Sequence, residues 1–202
     1  MRNIDIGMAE ADPRRGAALA ILQSGFSLRS RAGLSARGFM REVLGFEDSY
    51  IEGSVSTVFI DDSPVDDIDA AILREGSRIA LSAAMPGLVG AVMRRHSPYA
   101  AFRASITHRE GEGEARGAGE AGGGAEGSPA GPGEIGVRVK LFNSVMRDRG
   151  PAVLERGIIL GAREAAEALA SAGLDAGSAA PASGSAAAED EEVLLRIRRL
   201  GT

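Results

Sequence analysis

Five aspartates crowd one short stretch: Asp61, Asp62, Asp66, Asp67 and Asp69. Hard cations need several oxygens converging at about 2.3–2.6 Å for calcium. The spacing does not fit a twelve-residue calcium loop. Counted from Asp61, the sixth position is Asp66 rather than glycine, and no glutamate closes the loop. Carboxylates are also favoured in turns and first helical turns, where they meet free backbone N–H groups. That is the preferred reading, with a small metal-binding protein or enzyme built on Asp61–Asp69 as an alternative.

A second stretch concentrates positive charge. Gly87 and Gly90 lie in Pro86-Gly87-Leu88-Val89-Gly90, followed by Arg94, Arg95, His96 and then Arg103. Backbone N–H groups near glycines, joined by guanidinium groups, hold phosphates and carboxylates elsewhere. The run lacks the Gly-Lys-Ser/Thr ending of a phosphate-binding loop. The competing expectation is a set of solvated arginines closing a helix. Leu88, Val89, Val92 and Met93 form either a partner-binding face or part of the core, and the core is the expected place.

Catalytic sets are not legible. The histidines are His96 and His108, and neither has a positioned partner in sequence. Ser82 and Ser105 lack a G-x-S-x-G setting. The absence of cysteine removes thiolate nucleophiles, disulfides, iron–sulfur clusters and cysteine-containing zinc sites. No cofactor is implied, and the chain reads as non-enzymatic.

Composition narrows the partners. The 202 residues carry a formal charge of −5, and residues 109–134 hold 2 basic and 6 acidic groups. The rest is nearly neutral, so no basic stripe points to nucleic acid. The longest uncharged apolar run, Ile79–Met93, is too short for a bilayer and is broken by Pro86, Gly87 and Gly90. The N-terminus lacks the apolar run of a signal peptide, so the expectation is cytoplasmic, with no membrane partner. Lys140 is the only lysine among 23 basic residues, which reads as bacterial, GC-rich coding bias.

The elements that must carry these residues are legible in part. Residues 14–23 form a helix closed by Gly25, and Phe26–Arg31 a strand. Ser35 caps a helix whose apolar side is Phe39, Met40, Val43 and Leu44, ending at Gly45. Val55–Ile60 and residues 78–84 read as strands, and Tyr99–Ile106 as a further strand with Phe102 on its apolar side. Ile135–Leu141 alternates cleanly and is a strand. Helical pieces flank Gly150-Pro151, Ile158–Leu160 is a short apolar run, 163–172 is helical, and 193–199 closes the chain as a strand. The glycine-, alanine- and glutamate-rich 109–134 and the alanine- and serine-rich 175–190 have too little apolar side chain to offset the entropy of ordering. The organisation is thus an α+β block at 1–108, a disordered loop or linker at 109–134, an αβ extension at 135–174 packing on the core, a second linker at 175–190, and a terminal strand at 191–202.

One stretch resembles a known family. A helix (Leu34–Gly45) leads to a strand and turn (Val58–Val65), a short acidic piece (Asp66–Asp69), then Leu73-Arg-Glu-Gly-Ser-Arg-Ile-Ala-Leu81, with Pro86, Gly87 and Gly90 beyond. This order is similar to that of the β-grasp, ubiquitin-like sulfur carriers of molybdopterin and thiamine biosynthesis. The resemblance implies a β-grasp core with added strands and helices. Carrier chemistry needs a free terminal Gly-Gly carboxylate, whereas Gly90 is followed by a long continuation. A carrier function therefore requires cleavage near Gly90. The leading reading is an interaction module that binds a protein partner or anionic ligand through 85–103, using Gly87, Gly90, Arg94, Arg95, His96 and Arg103.

Overall fold

The computed structural model describes residues 1–103, 106–107, 133–175 and 191–200. The low-complexity expectations for 109–134 and 175–190 fall outside these residues except at their ends, where Glu134 already belongs to a strand. The described residues form one mixed eight-stranded sheet with six α-helices.

In chain order the elements are β1 (Arg2–Met8), α1 (Arg15–Ser24), β2 (Phe26–Arg31), α2 (Ala36–Glu42), α3 (Asp48–Ser54), β3 (Thr57–Ile60), β4 (Ser63–Pro64) and β5 (Arg78–Ser82). There follow α4 (Gly87–Met93), a 3-10 turn at Ala100–Arg103, β6 (Glu134–Leu141), α5 (Asn143–Arg156), β7 (Ile158–Gly161), α6 (Ala162–Ser171) and β8 (Glu192–Arg199). The strand order is β1-β8-β7-β2-β6-β5-β3-β4.

Strand β6 is the joint of this sheet. It pairs antiparallel with β2, Phe26 against Val139 and Leu28 against Val137. On its other side it pairs parallel with β5, Ile79 against Val139 and Leu81 against Leu141. Alternation sends Val137, Val139 and Leu141 to the helical side, where none is exposed (0%). Ile4, Leu195, Ile158 and Phe26 extend the same buried layer toward β1, and Ile79, Val58 and Ile60 extend it toward β4. The opposite face is polar, with Arg29, Arg138, Arg196 and Asp5 at alternate positions.

Local chemistry explains most boundaries. The Ser35 side chain accepts from the Gly38 N–H at 3.1 Å, capping α2 as its sequence expects. Helices α1 and α5 both end at a glycine with left-handed φ, Gly25 (108°) and Gly157 (110°), and pass straight into a strand. Asp61 and Asp62, at φ 48° and 66°, form the two-residue loop of the β3–β4 hairpin.

The structure corrects several expectations. Residues 100–103 form a 3-10 turn rather than a strand, and Phe102 is 81% exposed. Helix α5 runs through Pro151 at the cost of one intrahelical hydrogen bond, and the neighbouring Gly150 packs its bare backbone on Leu19 and Leu22 of α1. Strand β1 is an addition to the expected elements, although Ile4, Ile6 and Met8 alternate with Asn3, Asp5 and Gly7. The short helix α3, by contrast, carries too little periodic signal to be read in advance. The run Ile158–Leu160 is strand β7, buried on both faces.

Because β6 holds the two halves of the sheet together, truncating its buried face should loosen both. Leu141→Ala is expected to destabilise the protein by about 2–5 kcal/mol, read as a lowered urea midpoint. The transition should remain single, since the buried layer is continuous across the sheet.

Candidate interaction site

The segment after β5 is built on glycine and arginine rather than on a hydrophobic centre. Gly87 opens α4 with φ +81°, a conformation that glycine adopts without steric cost. Gly90 is buried in α4, and a Cβ there would lie 2.1 Å from the Met85 carbonyl oxygen. The glycine of the carrier resemblance therefore sits inside a helix, packed on backbone. Ser97 ties the end of the helix back: its hydroxyl donates to the Ala91 carbonyl at 2.6 Å and accepts from the Tyr99 N–H at 3.1 Å. His96 turns the chain between them at φ 55°.

Arg103 is the hub. Its side chain is 1% exposed. Nε donates to the Val92 carbonyl at 2.7 Å and Nη1 to the Thr107 hydroxyl at 2.9 Å. Nη2 donates to Asp66 Oδ1 at 2.6 Å and to the Arg94 carbonyl at 3.1 Å. The same Asp66 oxygen accepts from the His96 N–H at 3.3 Å. One guanidinium thus closes α4, the His96 turn and the residues beyond the 3-10 turn onto the loop following β4. A buried ion pair needs this many partners to offset its desolvation.

Arg95 performs the same task toward β3. Its backbone N–H donates to the Ser56 carbonyl at 2.8 Å. Nη1 reaches the Val55 carbonyl at 3.3 Å and Nη2 the Glu52 carboxylate at 3.1 Å. Arg95 Nε and Thr57 Oγ1 are buried without a hydrogen-bond partner among the described residues. Glu52 also accepts from Arg37, which in turn holds Asp69 at 2.6 Å and Asp48 at 3.5 Å. The Arg37 hydrogen bond, helped by the nearby Arg95 charge and opposed by partial burial, holds the Glu52 carboxyl below its ordinary range.

Of the expected site residues, Arg95 and Arg103 therefore face inward and are occupied by the protein's own acceptors. Gly87, Arg94 and His96 lie on the exposed side. No internal partner of the Arg94 guanidinium is present among the described residues.

The exposed side is mainly apolar. Leu88 is 72% exposed, Val89 70%, Tyr99 46%, Phe102 81% and Ile106 44%. The Tyr99 and Phe102 rings stack, with centroids 6.4 Å apart and planes at 30°. Leu88 and Val89 are thus corrected from core to surface, whereas Val92 and Met93 are half-buried. Tyr99, Phe102 and Ile106 escaped the sequence reading because a short aromatic run resembles a strand. Pro98 and the three-residue spacing of the two rings were the available signals of a turn. An open groove of about 480 Å³ borders Pro86 and is lined by Ala83, Ala84, Asn143, Ser144, Met146 and Arg147, among others.

The aspartate cluster is spent on structure. The Asp61 carboxylate accepts from the Arg78 N–H at 2.8 Å and Asp62 from the Arg78 guanidinium at 2.6 Å. Asp66 serves Arg103, Asp69 serves Arg37, and Asp67 caps the N–H groups of Asp69 and Ala70 at 3.0 Å each. Among the described residues no group of three acidic or histidine side chains is placed to hold a metal. No described helix is long and apolar enough to cross a membrane. No family model, curated protein or solved structure matches the chain.

Two outcomes follow. Arg103→Met strands the Val92 and Arg94 carbonyls and is expected to cost about 2–3 kcal/mol, with rapid proteolytic cleavage between residues 85 and 107. The Glu52 carboxylate, with its lowered pKa, stabilises the folded chain fully above the ordinary value of 4.5, and this contribution is lost as the pH falls through the folded-state value. Urea titrations at pH 7 and pH 3 should therefore show a smaller acid loss for Glu52→Gln than for the unsubstituted chain.

Proposed function

We propose that the protein is a non-enzymatic interaction module that docks a protein partner through the outer side of residues 88–106. One observation carries this reading. Among the described residues seven large apolar side chains are exposed, and five of them, Leu88, Val89, Tyr99, Phe102 and Ile106, belong to this one segment. Large apolar side chains left exposed together in one segment mark a contact surface more often than a bare exterior. Stacked aromatic rings supply contact area at low entropic cost, and a free arginine at the rim supplies polar anchoring.

The anchoring supports the same reading. Arg103 and Arg95 hold the segment rigidly against the β3–β4 side of the sheet, so a partner meets a largely prepared surface. The anionic-ligand version is weaker, because two of its three arginines already satisfy internal acceptors.

A β-grasp relationship for the sheet half that carries the segment is also part of the proposal. The resemblance calls for a helix, a strand, a turn and a final strand, and α2, β3, β4 and β5 fall in that order. It further calls for an opening hairpin ahead of the helix. Here antiparallel β2 and β6 lie side by side next to β5, with β6 contributed from later in the chain. Such an arrangement fits a β-grasp core whose opening strand has been transferred to the other end.

The test is a comparison of the tagged full chain with its Leu88→Asp/Phe102→Asp variant, each purified from the native host. Both substitutions are at exposed positions, so the urea midpoint should stay within about 0.5 kcal/mol of the original. A stoichiometric partner retained by the first and lost by the second supports the proposal. Identical co-purifying proteins for both would remove it.

A further inference from the structure

The two ends of the sheet are managed differently. At one end β4 is only Ser63–Pro64, and a short strand ending in proline offers little to a neighbour. At the other end β1 spans seven residues, contains no proline, and has β8 as its one neighbour. Its outer row of amide and carbonyl groups is a template for a further strand. The two remaining exposed apolar side chains of the described residues gather at this edge. Met1, 70% exposed, precedes β1, and Leu200, 57% exposed, lies over Gly7 where a Cβ would meet its Cδ2 at 2.6 Å. This surface is separate from the 88–106 segment and owes nothing to the function proposed for it.

We infer that β1 pairs antiparallel with β1 of a second copy, joining two eight-stranded sheets into one. In a two-fold pair whose faces stay continuous, alternation of side chains requires a residue to oppose itself on the axis. Centring on Asp5 would place two carboxylates together, which is unfavourable. Centring on Ile4 makes the strand self-complementary. Ile4 meets Ile4 on the helical side, flanked by Arg2 against Ile6. On the polar side Asn3 stands opposite Asp5 of the second copy, where its amide can donate to the carboxylate. Met1 stands opposite Gly7, the one position of β1 without a side chain, and so packs on the Leu200 that covers it. Asp5 already faces Arg198 at 3.1 Å within its own chain, so its charge remains balanced. A strand of another sequence would have to supply this whole set of matches, which a second copy supplies twice by symmetry.

Position 3 tests both the pairing and its register, because Asn3 is exposed and each dimer contains the Asn3–Asp5 contact twice. Sedimentation equilibrium of the full chain should show a species of twice 20.8 kDa in the micromolar range. Asn3→Glu, which sets like charges opposite each other, should raise the dimer dissociation constant about tenfold. Asn3→Lys should leave it unchanged or lower it. A monomer throughout, or equal weakening by both substitutions, overturns the inference. A second measurement uses the absence of cysteine from the chain. A mixture of Asn3→Cys and Asp5→Cys chains should cross-link under oxidation faster than either alone. Equal rates would overturn the register.

Discussion

The architecture depends on one strand arriving late. β2 and β5 are not paired with each other: β6 lies between them, antiparallel to one and parallel to the other, and supplies both with a neighbour whose side chains enter the matching layer. Every other piece is arranged around that insertion. The chain from α2 to β5 gains a continuous sheet only because β6 presents Val137, Val139 and Leu141 to the same buried layer as Phe26, Ile79 and Leu81. Helix α5, leaving β6 directly, then crosses above this layer. Arg149 lies over the Tyr50 ring at 3.9 Å, and Arg156 donates to the Val43 carbonyl at 3.3 Å. The Arg156 guanidinium also lies where a Cβ on Gly45 would sit, and Gly45 itself has φ +69°, a conformation that glycine adopts without steric cost.

Arginine is used here as a structural residue to an unusual degree. A guanidinium offers five donors in a rigid plane and stays charged when buried. That makes it suited to a region short of apolar material, where loose carbonyls and carboxylates need a shared donor. Arg103 collects the Val92 and Arg94 carbonyls, Asp66 and Thr107, and Arg95 collects Val55 and Glu52. The consequence for function is an inversion of what the types of residue suggested. The charges turn inward to build the segment, and the apolar side chains, left without a hydrophobic centre to enter, turn outward. A surface formed this way is exposed because its support is polar, and it is held in place by Arg95 and Arg103.

Legibility followed the range of the interactions involved. The Ser35 cap, the helix-ending glycines and the alternation in Ile135–Leu141 act within a few residues of themselves, so their elements could be read directly. Strand β1 carries the same kind of local signal, with Ile4, Ile6 and Met8 alternating with Asn3, Asp5 and Gly7; what only the fold supplies is its parallel partner β8 from the other end of the chain. Helix α5 was obscured by Pro151, which the helix contains at the cost of one backbone hydrogen bond. For the candidate site, the segment itself was legible from its glycines and basic residues. Which of those residues are exposed was not, since Arg94 and Arg95 are adjacent in sequence and opposite in environment.

By itself, then, the sequence determined the α+β character and the strands and helices with strong local periodicity, because these rest on local side-chain chemistry. The tertiary structure alone decided the order of strands, the joining role of β6, the burial of Arg95 and Arg103, and the exposure of Leu88, Val89 and Phe102. Those outcomes depend on which distant carbonyls and carboxylates are within reach of a guanidinium, and on which strand edges remain unpaired. Both quantities exist only once residues far apart in the chain have been brought together.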